Sequence, residues 1–295
     1  MSRSAAPRSI EVLAPAKLNL FLEVLGLRED GYHEIVTVTQ TVSLFDSIRL
    51  TENAAEIELA CSGLDVPGGS ENLAWRAAEV MSRQDSGRRG VSIKLEKRIP
   101  IGAGLGGGSS DAAAVLKGLN ELWSLELSIG ELEGLAAGLG SDVALFIRGG
   151  TAICRGKGEK IEPVRFKHVL HYVVAMPEFG TSTKEVYRKV KSYLTPNVKN
   201  VRFLLEQFEN AGGPGFAANI GSALFNRLEE VVCASYPRLA RLKKRLTDLG
   251  CAGALVTGSG SCVYGIAADE SSASRIAGEL SGEPGLTAVY VARTL

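Results

Sequence analysis

The sequence predicts an α+β chain of two domains. Three observations carry that prediction. Strand signals, alternating every two residues, and helix signals, repeating every three to four, occur in both halves without strict strand–helix–strand order. A glycine-rich stretch at 102–108 stands between a strand pattern and a strong helix pattern. The 295 residues are roughly twice a domain of about 150. The polar run E-K-I-E-P-V-R-F-K from Glu159 separates a hairpin pattern from a buried strand, which places the boundary near 160–168 and the domains at 1–165 and 166–295.

The elements follow in order. Leu18, Leu20, Leu22 and Val24 alternate with Lys17, Asn19, Phe21 and Glu23, giving a strand over 16–24 with one polar face. Residues 34–42 give a second strand after a turn at Asp30-Gly31, with short strands near 47–51 and 56–60. Ser70 is suited to cap a helix over 71–82. Val91, Ile93 and Leu95 mark a strand solvated on its other side, which Pro100 ends. A helix from Ser110 carries the stripe Val115, Leu116, Leu119, Leu122 and Trp123. Another covers 129–139, with Gly140 suited to a left-handed C-cap. A hairpin turns around Gly156–Gly158. The second half opens on the strand from Leu170, followed by helices at about 183–194, 198–210, 220–233 and 237–249. A strand pair at 253–257 and 262–266, a helix near 271–280 and a last strand close the chain.

Composition excludes several classes. Lys plus Arg and Asp plus Glu are both 33, so no basic excess favours nucleic acid or an anionic membrane. Five scattered cysteines form no C-x-x-C pair, against a disulfide framework or thiolate zinc site and in keeping with a reducing cytoplasm. The first 13 residues lack the apolar core of a secretory signal, and no uninterrupted apolar stretch is long enough to span a bilayer. Three histidines without H-E-x-x-H argue against a histidine-based metal hydrolase. No protein partner is implied.

Glycine is the outlier, at 34 residues. The stretch Pro100, Ile101, Gly102, Ala103, Gly104, Leu105, Gly106, Gly107, Gly108, Ser109 and Ser110 leads directly into the helix. Glycines let backbone amides approach a ligand closely, and a helix N-terminus adds free N–H groups and the positive end of its dipole. Together they form a phosphate cradle, in which Ser109 or Ser110 caps the helix or meets a phosphate or its magnesium. A linker or tight turn is the competing reading, but linkers rarely join a strand to a strong helix. Gly102, Gly104 and Gly107 satisfy G-x-G-x-x-G, the dinucleotide pattern of a dehydrogenase. The strand before it argues against that class, because Lys94, Glu96 and Lys97 interrupt what would be a continuously apolar strand. A Walker loop is excluded too, since no lysine follows Gly108.

Five segments in this order resemble the GHMP kinase superfamily. They are A-P-A-K-L-N-L-F-L from Ala14, D-G-Y-H-E-I from Asp30, the glycine stretch from Pro100, G-S-D-V-A-L-F from Gly140 and T-G-S-G-S-C-V-Y from Thr257. The resemblance runs the length of the chain. It implies a ribosomal protein S5 domain 2-like N-terminal domain, a ferredoxin-like C-terminal domain and an active site in the cleft between them. It also implies an ATP-dependent kinase that uses Mg2+, with a cytidine diphospho-alcohol as acceptor.

Residue by residue, the resemblance makes Lys17 the cation facing the transferred phosphoryl group and Asp142 the base for the acceptor hydroxyl. A solvated strand lysine and a turn aspartate are the ordinary readings of such residues. Asn19, Tyr32, His33 and Thr183 fall on the acceptor side, with Tyr32 and His33 holding cytosine. Ser182 and Thr183 equally suit a helix start, and Gly258 and Gly260 either shape the cleft or make a tight hairpin. The family's G-A-D-V-P is altered here, with Ser141 for its alanine and Ala144 for its proline. A GHMP kinase for a small alcohol such as homoserine or mevalonate is a rival, disfavoured by D-G-Y-H-E because those acceptors offer no base to stack. A non-catalytic nucleotide-binding protein is another, disfavoured by the presence of both Lys17 and Asp142.

Overall fold

A computed structural model describes residues 7–53, 56–84, 89–190, 201–209, 213 and 215–295. The chain packs as two compact units that interleave along the sequence. The first comprises 1–16, 45–100 and 106–148; the second comprises 17–44, 101–105 and 149–295. The two longest strands, β1 (Ser9–Leu27) and β2 (His33–Asn53), each contribute residues to both units. The mixture of strands and helices expected from the sequence is present. No helix among the described residues is long and apolar enough to cross a membrane.

In the first unit, β4 (Gly90–Lys97) runs antiparallel to the end of β2, with Ile48 opposite Leu95, and β3 (Ile57–Gly63) runs parallel to β4. The segment near 47–51 is therefore the far end of β2 and not a separate short strand, because no glycine or proline interrupts 33–53. The helices α1 (Leu73–Gln84) and α2 (Gly107–Leu122) pack together. At Gly118 a side-chain carbon would come within 2.6 Å of Leu50 Cδ1, so the glycine lets α2 lie close over β2. Ser70 does not cap α1: it sits in a 3-10 turn (Gly69–Glu71), and Asn72 Oδ1 accepts from the Ala74 amide at 2.9 Å. α3 (Ile129–Ala137) starts on a capping box of Ser128 and Glu131. Gly140 is not its left-handed C-cap. The helix ends on Gly138 in right-handed geometry, and a turn at Gly140 leads into α4 (Val143–Arg148), which the sequence reading did not anticipate.

In the second unit, the start of β2 pairs with β5 (Thr151–Gly156), which forms a hairpin with β6 (Lys160–Val164). A four-stranded antiparallel sheet orders β11 (Leu286–Arg293), β7 (His171–Pro177), β10 (Val263–Ala267) and β9 (Gly253–Val256). Its core is filled by Val173, Val256, Val263, Leu239, Leu246 and Ile276. The last three come from α9 (Pro237–Asp248) and α10 (Glu270–Leu280). The helices α5 (Thr183–Lys189) and α6 (Arg202–Glu209) match two expected ones, whose residues 191–194, 198–200 and 210 lie outside the described residues. The single helix expected over 220–233 is instead α7 (Phe216–Ala223), the short strand β8 (Phe225–Asn226) and α8 (Leu228–Ser235). Asn226 causes the break. Its side-chain amide donates to the carbonyls of Val256 and Gly258, and its oxygen accepts from the Leu228 amide, while β8 pairs in parallel with β1.

Candidate active site

Lys17 and Asn19 lie on β1 in the second unit, and the expected polar face is not solvated. Lys17 is 5 %, Asn19 4 % and Glu23 1 % exposed, so both faces of the strand are covered there. A buried ammonium needs acceptors. Lys17 Nζ donates to Asn19 Oδ1 and, at 2.6 Å, to the Gly104 carbonyl. Asn19 is fixed in turn: its side-chain amide donates to Thr37 Oγ1 at 2.9 Å and its backbone N–H to Thr257 Oγ1 at 3.1 Å. The Gly258 backbone closes the group. A carbon added at Gly258 would stand 3.3 Å from Asn19 Oδ1 and 3.5 Å from Lys17 Nζ.

The glycine loop belongs to both units. Ile101–Leu105 falls in the second, Pro100 and Gly106–Ser110 in the first. Within the second unit, consecutive carbonyls are held in place: Gly102 by the Thr181 amide, Ala103 by the Cys262 amide, Gly104 by Lys17 Nζ and Leu105 by the Lys17 amide. Gly102, Gly104 and Gly106 all take positive φ, at 67°, 77° and 72°, which explains why glycine alternates there. Gly106 is the N-cap of α2, whose first amides have no intrahelical partner. Ser110 Oγ is buried with no hydrogen-bond partner among the described residues.

Asp142 belongs to the first unit, half-buried in the turn immediately before α4. Ala144 is the second residue of that helix, where a proline or an alanine fits equally because the first-turn amides are not used within the helix.

Tyr32 and His33 follow the turn at Asp30-Gly31, where Asp30 Oδ1 accepts from the Tyr32 amide and Gly31 has φ 81°. Tyr32 is 55 % exposed and carries Lys157 Nζ 4.8 Å from its ring centre. His33 packs against Tyr187 of α5, with ring centres 5.2 Å apart at 38°. Burial holds the His33 imidazole below its ordinary value, so it is neutral at pH 7 and has one donor and one acceptor nitrogen. Ser182 is the N-cap of α5, accepting from the Glu185 amide. Thr183 is free of that task and its hydroxyl lies 2.8 Å from Ser259 Oγ.

Sequence reasoning missed four further groups. Thr37 and Thr257 orient Asn19, and Tyr187 backs His33. The fourth is a buried ionic cluster of Asp46, Lys97 and Asp111 in the first unit. Lys97, which with Lys94 and Glu96 interrupts the apolar run of its strand, is 2 % exposed. It shares the parity of Val91, Ile93 and Leu95, which was the signal available. Burial beside a second carboxylate raises the Asp111 carboxyl to about 7, against the lowering effect of Lys97.

Glycines of positive φ precede a helix, and the buried Lys17 donates to one of their carbonyls, on an α+β scaffold. The family model for the GHMP kinases N terminal domain matches residues 72–150, and that for the GHMP kinases C terminal domain matches 204–285. The chain belongs to the GHMP kinases, which are ATP-dependent phosphotransferases. It is 45 % identical over 269 residues to a 4-diphosphocytidyl-2-C-methyl-D-erythritol kinase of Pelotomaculum thermopropionicum, covering 91 % of this chain and 92 % of that one. It is 42 % identical over 272 residues to the Bacillus mycoides protein of the same name, covering 92 % of each. A crystal structure of 4-(cytidine 5'-diphospho)-2C-methyl-D-erythritol kinase superposes with a TM-score of 0.82 at 36 % identity, over 96 % of this chain and 98 % of that one. The homoserine kinase of Cytophaga hutchinsonii, at 19 % identity and a TM-score of 0.72, shares the fold.

Proposed function

We propose that this chain transfers the terminal phosphoryl group of ATP to the 2-hydroxyl of 4-diphosphocytidyl-2-C-methyl-D-erythritol, releasing ADP in the non-mevalonate route to isoprenoid precursors. The observation that carries the acceptor is the identity of 42–45 % over more than nine tenths of both chains to relatives that share that name.

In this reading the loop Pro100–Ser110 cradles the phosphates through its amides and the start of α2. Lys17, oriented by Asn19 and the Gly104 carbonyl, sets positive charge against the transferring group, where it stabilises charge in the transition state. Asp142 accepts the proton of the attacking hydroxyl. Tyr32 and His33 receive the cytosine, with Tyr187 supporting His33; a neutral imidazole suits the polar edge of a pyrimidine, and the ring faces suit stacking. Thr183 contacts the acceptor beyond its base.

Magnesium belongs to the same proposal. Among the described residues no three His, Cys, Asp or Glu side chains gather to hold a metal. A magnesium ion that arrives with ATP keeps several waters and phosphate oxygens and needs only one or two protein oxygens. The unpartnered hydroxyl of Ser110 fits that need. When bound, the ion neutralises charge on the phosphates. A reducing, cytoplasmic setting completes the reading, supported by five free cysteines.

The test is a transfer assay with ATP and the cytidine diphospho-alcohol, with homoserine and mevalonate as alternative acceptors. ADP formation that depends on the cytidine substrate alone is the expected result. Turnover with either small alcohol and none with the cytidine compound would overturn the reading.

A further inference from the structure

The Asp46–Lys97–Asp111 cluster has no part in the chemistry assigned above, yet it costs a great deal to build. All three side chains are 3 % exposed or less. Removing ions from water costs several kcal/mol each, and apolar residues of similar volume commonly serve stability as well or better. Stability alone is therefore a poor account of it.

Its placement is more informative. Lys97 is the last residue of β4, the strand that feeds the glycine loop, and Asp111 stands in the second turn of α2, the helix that leaves it. Lys97 Nζ donates to Asp46 Oδ2 and, at 2.7 Å, to Asp111 Oδ2. Asp46 Oδ1 accepts from the amides of Arg98 and Ile99, at 2.6 and 2.8 Å, which are the first two residues after the strand. A carbon added at Gly107 would stand 2.8 Å from Lys97 Nζ and 2.9 Å from Ile99 Cγ2, so the ammonium lies directly beneath the first residue of α2. One cluster thus ties down the chain entering the loop and the helix leaving it, and every residue it fixes lies in the first unit.

We propose that Asp46, Lys97 and Asp111 are positioning residues that clamp the two stems of the glycine loop and thereby set its span for the phosphates of ATP. The inference rests on the reading of that loop as the phosphate cradle. Lys97 is the shared donor, Asp46 fixes the entering stem, and Asp111 fixes the helix. None of the three touches the nucleotide.

The experiment uses the full chain and the variants Asp111→Ala, Asp111→Asn, Lys97→Met and Gly108→Ala. It measures KM for ATP and for the cytidine substrate, Kd for ADP and for adenosine by calorimetry, and Tm. Asp111→Ala and Lys97→Met raise KM for ATP and Kd for ADP by about tenfold or more, the scale of a cradle displaced by a fraction of an ångström to one ångström. Adenosine affinity and acceptor KM stay within twofold, because neither depends on the phosphate cradle. Asp111→Asn keeps an oxygen for Lys97 and restores ADP binding to near the unmodified value. A merely structural cluster would lower Tm in Asp111→Ala and Lys97→Met and leave ADP affinity unchanged, and that result overturns the clamp. Gly108→Ala separates the two readings: weakened ADP binding there with none in the cluster variants refutes the clamp alone, whereas unchanged ADP binding in all four refutes the cradle itself. Should Lys97→Met not fold, the Asp111 pair decides.

Discussion

Gly108→Ala gains stability and loses ATP affinity if the first turn of α2 receives phosphate. A carbon added at Gly108 meets only Leu73 Cδ1, at 3.8 Å, an ordinary contact. The residue is helical and exposed, so the methyl group costs nothing in packing. Alanine is favoured over glycine inside a helix by about 0.5–1 kcal/mol, and the lower end applies in a first turn. For a chain of this size that is a rise in Tm of about one to two degrees. The same methyl group stands where backbone must approach the phosphates, and displacing them by about an ångström costs on the order of tenfold or more in KM for ATP. Gly134→Ala in α3 is the matched control, since a carbon there meets nothing within 4 Å. It gains at least as much stability and leaves KM for ATP unchanged. Steady-state kinetics and thermal melts on both variants decide the matter. A Gly108→Ala enzyme with unchanged KM for ATP, or an equal rise in Gly134→Ala, would refute the reasoning.

Three further outcomes are expected. Asp142→Asn keeps its shape and removes the proton acceptor, so kcat falls by roughly 10² or more with Kd for ADP little changed; turnover near the unmodified rate would rule Asp142 out as the base. Tyr32→Ala, losing one base–aromatic stack worth about 1–3 kcal/mol, raises acceptor KM roughly 5- to 150-fold. His33→Ala raises it too and relaxes the choice of base, and in both variants KM for ATP stays put; an equal rise for ATP would remove these residues from the acceptor side. Asp111 titrates at about 7 when folded, above its ordinary 3.8. Its contribution to stability is fully present below the unfolded value and is lost as pH rises through 7. The groups facing it are Lys97, Asp46 and the Cys61 thiol. Denaturant melts of Asp111→Asn against the unmodified chain at pH 5 and pH 8 should show the variant gaining relative stability at the higher pH, by up to about 2.7 kcal/mol, at 1.36 kcal/mol per pH unit over the two units up to pH 7. A difference that does not move with pH would mean the carboxyl is ionised throughout.

Much of the local geometry around the proposed site was legible because it is set by neighbouring residues in the sequence. The glycines at 102, 104 and 106 need positive φ, and that need is written in the residue type. The turn before Tyr32 and the capping of α5 by Ser182 are likewise local. What sequence could not supply was the second layer. Alternation in β1 correctly separated two sets of residues, but polarity made one set look solvated, whereas Lys17, Asn19 and Glu23 are buried with partners from elsewhere in the chain. Asn19 depends on Thr257, 238 residues away. The break at Asn226 was invisible for the same reason, since its cause is the carbonyls of Val256 and Gly258.

Strand parity carries information that polarity alone does not. A charged residue on the apolar parity of a strand is either misplaced or paired, because an isolated buried charge is prohibitively costly. Lys97 keeps step with Val91, Ile93 and Leu95, and Asp46 keeps step with Leu44, Ile48 and Leu50. Two opposite charges breaking the apolar faces of two strands predict each other. The compact units follow no linker signal. The chain passes between them at 16/17, 44/45, 100/101, 105/106 and 148/149. The first two passages lie inside β1 and β2 and the next two flank the glycine loop, so hydrogen-bonded backbone and glycines of positive φ stand where a linker signal would have to be.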